Sequence, residues 1–251
     1  MSMNIVIIGS GNVAYHLSKA FTQQDIPISQ IFGRNDEKLQ GISEELGIPY
    51  STHQLAEADL YLIAVSDHAI EEVSELIKNP EALVAHTSGS LPREMLKGSY
   101  RKACFYPLQT FSMYQDLDYR KIPFFLEAEN KNDLDLLTTL ASSISDNVME
   151  SSYEKRKYIH LTAVFACNFV NHLFARAQEI SDAQEIPFSY FLPLIHETVD
   201  KISTLPPKDA QTGPAVRNDF RVLQLHEKLL KGTPLEIYKT LNQSIKEMYE
   251  L

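Results

Sequence analysis

The stretch IVIIGSGNVAYHL, residues 5–17, decides the fold of the N-terminal half of the chain. The apolar run Ile5–Ile8 predicts a parallel strand that is covered on both faces. Gly9 and Gly11 lack a Cβ, so the chain can turn sharply there and bring its N–H groups close to another molecule. The spacing Gly-x-Gly-x-x-Ala between a strand and a helix that begins near Val13 is typical of a dinucleotide diphosphate site. The alternative is a glycine turn that only packs.

The composition indicates a soluble globular protein and argues against nucleic acid or a membrane as its binding partner. The 251 residues, 44% of them hydrophobic, can bury a core and predict two domains. A formal net charge of −10 without a run of Lys and Arg argues against nucleic acid and anionic membranes. Cys104 and Cys167 lie outside any Cys-x-x-Cys spacing, which predicts reduced thiols, no metal site and a cytoplasmic protein. The N-terminus shows no signal-peptide pattern.

Strands and helices alternate through residues 1–152. Apolar runs predict strands at residues 28–32, 60–65 and 83–86. Ser90 and Pro92 predict the start of a helix, because a proline in the first turn costs no hydrogen bond. The predicted fold class is α/β, with a Rossmann-type, doubly wound and mostly parallel sheet followed by an all-α C-terminal domain of residues 153–251.

The C-terminal region contains one helix, Tyr158–Ala177, that is apolar nearly all round. Such a helix is typical of a buried core or a subunit interface, and we expect a homodimer through the C-terminal helices. A membrane span is the alternative, but polar residues interrupt the helix. Further helices are predicted at Ala215–Leu230 and after Thr233, where Thr-Pro-Leu-Glu forms a capping box.

The end of the second strand indicates which dinucleotide binds. There an acidic residue selects the ribose 2′-hydroxyl and an arginine accommodates a 2′-phosphate. The acidic residue Asp36 lies further along, whereas Arg34 follows the small residue Gly33 directly, so NADP is favoured over NAD, with an ordinary solvated arginine as the alternative. Loops after neighbouring strands should face the same ligand. The predicted cofactor-binding residues are Gly9, Ser10, Gly11, Asn12, Val13, Gly33, Arg34, Asn35, Val65, Ser66 and His68.

Polar residues elsewhere predict a substrate site. His86 ends a predicted strand and Ser88 follows it; both could position a substrate or relay a proton, or could equally cap a turn or satisfy polar groups in the core. At about 100° per residue, His160, Asn168 and Asn171 share one helix face, which indicates a cleft, a water network or a polar spot at an interface. A further loop resembles the opening turn, because a glycine and a proline lead into a predicted helix whose exposed N–H groups and early Arg217 could hold a carboxylate or phosphate. Its residues are Thr212, Gly213 and Arg217. The alternative is a helix N-cap with a surface network of Arg217 and Asp219.

Three motifs together carry a family resemblance. His86–Ser90 (HTSGS), Tyr106–Phe111 (YPLQTF) and Thr212–Asp219 (TGPAVRND) occur in the order found in Rossmann-like proteins with an all-helical C-terminal domain of unassigned function. That family is similar to pyrroline-carboxylate reductases and deazaflavin-dependent NADP oxidoreductases. The resemblance implies an NADP-binding oxidoreductase with a site between domains and a dimer made through the helices; it implies no substrate.

Two positions depart from the related patterns. Tyr106 stands where the family pattern has histidine, so no general acid carries over to it. Related hydroxyacid dehydrogenases place Lys and, four residues on, Asn in the first helix of the second domain, where this chain has His160 and Val164. A lysine mechanism is therefore unsupported.

The resulting hypothesis is hydride transfer between NADP and a small anionic substrate with a C=N or C=O bond, bound between the two domains. His160 is the expected proton donor, Asn168 and Ser88 complete the catalytic set, and residues 212–217 hold the acid group. His86 and Asn171 are further expected substrate ligands. The rival hypothesis is a dimeric redox sensor that binds the dinucleotide without turnover.

Overall fold

The computed structural model describes residues 3–251 and contains two compact units, one ending at Asn168 and the other spanning Phe169–Leu251. The sheet ends at Glu150 and the next helix begins at Tyr153, so the change from sheet to helices falls at the expected position. The first unit nevertheless extends past residue 152, because Arg156, near the start of that helix, forms an ion pair with Glu127 of the sheet. The assignment of separate roles to residues 1–152 and 153–251 stays a prediction.

The first unit is built on one eight-stranded sheet of order β3-β2-β1-β4-β5-β6-β7-β8. Neighbouring strands run parallel except β6 and β7, which are antiparallel. The order from β3 to β6 is that of a doubly wound dinucleotide-binding sheet, which confirms the predicted fold class. The strands are β1 (Ile5–Ile8), β2 (Ile28–Phe32), β3 (Tyr50–Ser51), β4 (Leu60–Ile63), β5 (Leu83–His86), β6 (Arg101–Pro107), β7 (Phe124–Ala128) and β8 (Val148–Glu150).

Strand β1 is buried on both faces, as its unbroken apolar run predicts. Ile5 and Ile7 belong to an apolar cluster on one side of the sheet, and Val6 and Ile8 to a cluster on the other. The helices of this unit are α1 (Asn12–Thr22), α2 (Asp36–Leu46), α3 (Ile70–Ser74), α4 (Lys131–Ile144) and α5 (Tyr153–Ala163). The carboxyl end of β1, where the glycine turn begins, is therefore held by packing from both sides.

The second unit is helical, as expected. A π-helical segment, Val164–Phe169, connects α5 to α6. The helices are α6 (Val170–Asp182), α7 (Leu192–Lys201), α8 (Pro207–Ala210), α9 (Phe220–Leu229) and α10 (Gly232–Met248). Within residues 3–251, no helix combines the length and the apolar run that a bilayer crossing needs.

Three predicted helix starts are wrong. After Ser90 the chain forms only the 3₁₀ turn Arg93–Met95, because the Ser88 hydroxyl accepts from the N–H groups of Ser90 and Leu91 and fixes a turn. The predicted helix at residue 215 begins at Phe220 instead, since Asp219 provides its N-cap by accepting from the N–H of Val222. Thr233 does not cap the last helix, which already begins at Gly232.

Other element boundaries differ from the sequence prediction. The long apolar helix begins at Tyr153 instead of Tyr158, and its middle is π-helical rather than regular. The strand predicted at residues 60–65 ends at Ile63. Strand β3 was not anticipated: its two residues pair with Ile31 and Phe32 at the edge of the sheet. A pair this short carries no period-two pattern.

Candidate active site

A cavity of about 530 Å³ lies beyond the carboxyl ends of β1, β2 and β4. Open α/β sheets bind ligands at this edge, where the strand order reverses between β1 and β4. Every predicted cofactor-binding residue except His68 lines the cavity. These residues are Gly9, Ser10, Gly11, Asn12, Val13, Gly33, Arg34, Asn35, Val65 and Ser66.

The two glycines of the turn have different physical roles. Gly9 has φ +141°, and a Cβ there would lie 2.2 Å from the carbonyl oxygen of Ala64, so the fold itself requires glycine. Gly11 has φ −91°, which any residue adopts, and a Cβ there would meet nothing within 4 Å. The chain therefore keeps the space at Gly11 open although its own packing does not require it. That space is where a ligand can approach the backbone.

The N-terminus of α1 is arranged for an anion. Gly11 is its N-cap, no side chain caps the helix, and no acidic residue lies in the first turn. Its leading N–H groups and the positive end of its dipole remain available. A diphosphate fits this arrangement, since it needs backbone donors and a close approach without a Cβ.

The loop after β2 supplies the remaining polar wall. Asn35 caps α2, because its side-chain oxygen accepts from the N–H of Lys38 at 2.9 Å. Arg34 is exposed and, within residues 3–251, forms no salt bridge. A guanidinium without a carboxylate partner is free to bind a phosphate group. Of the two side chains, Arg34 is the one available to a 2′-phosphate.

An apolar wall of the cavity was not anticipated. Ala69, Val73 and Leu76 line it from the helical segment after β4, at helical spacing. Leu76 is 50% exposed, so this apolar side chain is accessible to a ligand in the cavity. The i, i+4, i+7 pattern directly after a buried strand was the sequence signal for it. The other lining residues outside the predicted set are Ile8, Phe32, Ala64 and Glu72.

Hydrogen bonds join the loop after β6 to α1, and one of them is made by the side chain of Asn12. The Asn12 side-chain amide donates to the carbonyl oxygen of Phe111 at 2.7 Å, so this side chain joins the loop to the start of α1. His16 bonds the Tyr119 hydroxyl through Nδ1 at 2.8 Å and the Ser112 carbonyl oxygen through Nε2 at 2.9 Å. Burial lowers the pKa of His16. These contacts hold the loop beside the glycine turn.

A tyrosine–histidine pair lies in the same unit, at the carboxyl end of β6. The Tyr106 hydroxyl and Nδ1 of His160 are 2.9 Å apart, and their rings meet edge to face. Gly89 makes this approach possible, because a Cβ there would lie 2.6 Å from Cζ of Tyr106 and 2.9 Å from Nδ1 of His160. Burial raises the pKa of Tyr106 to about 12, so the phenol stays protonated at neutral pH.

His160 also faces a second cavity, of about 380 Å³, whose lining belongs entirely to the first unit. The imidazole is half-buried, so it can reach both the tyrosine and a small molecule. The cavity's lining residues include one lysine, two residues with hydroxyl groups and two aliphatic residues. It is lined by Ser90, Lys157, Tyr158, His160, Leu161 and Val164.

A buried ion pair holds the helix that carries His160. Arg156 has no exposed surface, and its guanidinium lies 2.5 Å from the carboxylate of Glu127 on β7. The same guanidinium donates to the carbonyl oxygen of Leu91 at 2.8 Å. Arg156 lies one helical turn before His160, so the pair fixes the position of that turn against the sheet. Sequence periodicity gave no indication of a fully buried arginine.

The structure does not support the predicted roles of His86 and Ser88. His86 is fully buried, and its Nδ1 accepts from the N–H of Ser88 at 3.1 Å, so it cannot contact a substrate. Burial, together with the charge of Arg156, lowers the pKa of His86 to about 3 and keeps it neutral. The Ser88 hydroxyl accepts from two backbone N–H groups, which agrees with the alternative that this residue caps a turn.

The predicted polar face of the long helix depends on regular α-helical geometry. The π-helical segment has wider turns, so the angle between His160 and Asn171 is not that of an α-helix. Asn168 and Asn171 are both exposed, and Asn171 belongs to the second unit. Their roles as substrate ligands stay predictions.

The expected acid-binding loop also lies in the second unit. Thr212 and Arg217 are exposed, and Gly213, with φ +115°, opens a turn that ends at the helix cap Asp219. Arg217 therefore precedes the helix and is not in its first turn, contrary to the prediction. His68 lies outside the first cavity, with its Nε2 3.3 Å from the Ser66 hydroxyl.

The doubly wound sheet, the open glycine turn and the uncapped start of α1 define a dinucleotide-binding protein of the Rossmann class. A family model described as "NADP oxidoreductase coenzyme F420-dependent" matches residues 4–87. A second model, described as a domain of unknown function (DUF2520), matches residues 122–245. No curated protein matches the chain.

A solved structure from Bacteroides fragilis, described as a "putative NADP oxidoreductase", is 38% identical, with a TM-score of 0.93 and coverage of 98% of both chains. The protein belongs to this family of NADP oxidoreductases with a helical C-terminal domain. The resemblance read from its three motifs is therefore confirmed.

More distant structures share the fold. A 1-pyrroline-5-carboxylate reductase from Streptococcus pyogenes is 16% identical, with a TM-score of 0.62, covering 99% of this chain and 99% of its own. A reductive aminase from Aspergillus terreus, solved with NADPH, is 12% identical, with a TM-score of 0.70, covering 99% of this chain and 95% of its own.

Proposed function

We propose that the protein is an NADP-dependent oxidoreductase acting on a small anionic substrate with a C=N or C=O bond. The open space at Gly11 beside the uncapped start of α1 is the observation that carries the proposal. The names of the distant relatives denote reduction of a cyclic imine that carries a carboxylate and formation of amines by reduction. These names favour a C=N bond.

The preference for NADP rests on Arg34. No acidic residue stands at the end of β2, where Phe32 and Gly33 are followed directly by Arg34. An exposed arginine without a salt-bridge partner is suited to a 2′-phosphate, since a charged acceptor binds a guanidinium much more strongly than a 2′-hydroxyl does.

The chain's own residues orient the substrate and move the proton. When bound, the nicotinamide cofactor supplies or accepts the hydride at the carbon of the C=N or C=O bond. In the direction of reduction, His160 gives a proton to the nitrogen or oxygen of that bond. Lys157 in the same cavity adds positive charge, although Glu154 shares it at 2.5 Å. Asn168, Thr212 and Arg217 complete the proposed substrate contacts.

A homodimer through the C-terminal helices belongs to the same proposal. The buried side chains of the second unit are Ser181, Ala215 and Leu223. Tyr190, Leu194 and Leu229 are between 65% and 79% exposed. A helical unit with so few buried side chains gains too little from its own core, and a second copy offers the same apolar helices in return. Sedimentation of the purified chain tests this, with twice the 28.5 kDa chain mass as the expected result.

The experiment that tests the catalytic proposal has two stages. Fluorescence titration with NADPH measures binding, and absorbance at the nicotinamide band then follows oxidation with a panel of imino and keto acids. Turnover with at least one acid, reduced at least tenfold by His160→Gln, is the expected result. Tight NADPH binding without oxidation by any compound would instead favour the redox sensor, and absence of binding would refute both.

A further inference from the structure

We infer that Tyr106 sets the protonation of His160, donating its hydroxyl proton to Nδ1 so that the imidazole presents an Nε2–H group to the 380 Å³ cavity. Tyr106 is on this view a positioning residue that acts through His160. The inference rests on the proposed function, which makes His160 the proton donor. It assigns a role to the position where the family pattern has histidine.

The direction of the Tyr106–His160 hydrogen bond follows from the partners that each group has. Tyr106 is 7% exposed, and within residues 3–251 its hydroxyl has no other hydrogen-bond partner. If Nδ1 carried the proton, the phenol O–H would be left without an acceptor in a buried place, which is costly. If Tyr106 donates instead, both the phenol proton and the Nδ1 lone pair are satisfied.

The protonation state of Tyr106 agrees with this direction. Burial raises the pKa of Tyr106 to about 12, so a phenolate that could accept from Nδ1 is not populated at neutral pH. The Cys104 thiol behind it is buried, with a pKa raised to about 12, and adds no charge. The positive charge of Arg156 is paired with Glu127.

The geometry of the pair is held from three sides. Gly89 leaves room for both rings, since its missing Cβ would lie within 3 Å of each. Arg156, one turn before His160, anchors α5 to β7 through Glu127. Tyr106 itself is placed by β6, where it pairs with Phe125 of β7. A rigid sheet and a clamped helix turn therefore fix the two reacting atoms relative to each other.

The proposed proton movement balances. As the substrate nitrogen or oxygen gains an electron pair, the Nε2–H bond breaks and its proton forms an N–H or O–H bond on the substrate. At the same time the O–H bond of Tyr106 breaks and that proton binds Nδ1, so neutral imidazole is retained and a phenolate is left. After product release, a water molecule gives a proton to Nε2 and leaves as hydroxide, and the Nδ1 proton returns to Tyr106. The net proton comes from water.

The first test needs no substrate. In the full-length protein labelled with ¹⁵N-histidine, long-range ¹H–¹⁵N spectra distinguish a protonated from an unprotonated ring nitrogen, and His160→Gln assigns the signals. The expected result is an unprotonated, hydrogen-bonded Nδ1 whose resonance moves by several ppm in Tyr106→Phe. An Nδ1–H tautomer, or an Nδ1 resonance that Tyr106→Phe leaves unchanged, overturns the inference.

The second test uses whichever imino or keto acid supports NADPH oxidation. Tyr106→Phe is expected to lower kcat by 10- to 100-fold, with KM and the NADPH dissociation constant within twofold of the wild type. Gly89→Ala, which separates the rings without removing either, should do the same. Tyr100→Phe is the matched control, because it removes another buried hydroxyl, which donates to the carbonyl oxygens of Ser74 and Lys97; its kcat should not change. A Tyr106→Phe enzyme with wild-type kcat overturns the inference.

The two tests separate failure of the inference from failure of the proposed function. Turnover together with an Nδ1–H tautomer rejects the role of Tyr106 and retains the oxidoreductase. Absence of turnover with every acid rejects the proposed reaction, while the ¹⁵N spectra still decide the tautomer.

Discussion

Replacement of Gly11 by alanine separates ligand binding from folding in this protein. The added Cβ meets no atom within 4 Å, and the backbone angle φ −91° is open to alanine. Alanine lowers the entropy of the unfolded chain, which stabilises by about 0.4–1 kcal/mol. It is also a poorer N-cap than glycine, at a cost of a few tenths to about 1 kcal/mol. These effects nearly cancel, so the melting temperature should stay within a few degrees of the wild type.

The same Cβ should strongly weaken dinucleotide binding. It would occupy the space in front of the N–H groups at the start of α1, where the diphosphate is expected to approach. Loss of one hydrogen bond to a charged group costs about 1.5–3 kcal/mol. The expected result is therefore an NADPH dissociation constant about 10- to 150-fold higher, measured by fluorescence titration.

Gly9→Ala is the control with the opposite pattern. Its Cβ would lie 2.2 Å from the carbonyl oxygen of Ala64, and φ +141° is strained for any residue with a side chain. Overpacking and backbone strain each cost about 1–3 kcal/mol, so this variant should melt at a clearly lower temperature. Wild-type NADPH affinity in a stable Gly11→Ala protein would refute the assignment of the diphosphate to this turn.

Three further predictions concern single side chains. Arg34→Ala should weaken NADPH binding about tenfold and NADH binding by less than twofold, because only the former carries a 2′-phosphate; equal losses in parallel titrations would contradict the NADP assignment. Arg156→Met should lower the free energy of unfolding by about 3 kcal/mol in urea titrations, since it leaves the Glu127 carboxylate without its closest cation, and a further Glu127→Leu replacement should restore part of the loss. His86, with a pKa of about 3 in the folded protein and about 6.5 unfolded, takes up a proton on unfolding below pH 6.5, so stability falls as the pH falls. Between pH 7 and pH 5 this contribution is about 2 kcal/mol, and His86→Gln should lose it; an unchanged pH dependence in the variant would show that His86 is not buried as a neutral group.

The cofactor side of the protein was largely predictable because local sequence determines it. Ile5–Ile8, the glycine spacing and the start of α1 are contiguous in the chain, and Arg34 follows a strand whose ends are marked. The apolar wall at Val73 and Leu76 was missed although its helical spacing was visible. The predicted helix starts were wrong where side chains such as Ser88 and Asp219 accept hydrogen bonds from nearby backbone N–H groups.

The proposed substrate site could not be predicted in the same way, because its groups come from distant parts of the chain. Tyr106 and His160 are 54 residues apart, and only the pairing of β5 with β6 and the packing of α5 bring them to 2.9 Å beside Gly89. Likewise, the sequence gives no sign that Arg156 is fully buried, since an arginine in a helix is normally exposed.

The sequence by itself determined the doubly wound sheet, the glycine turn and the arginine that follows β2, because hydrophobic periodicity and backbone freedom are properties of neighbouring residues. The tertiary structure alone decided that His86 is a buried neutral group and that His160 is bonded to Tyr106. Burial and hydrogen-bond direction depend on what the fold places around each group, and these surroundings set both the protonation and the chemistry of a side chain.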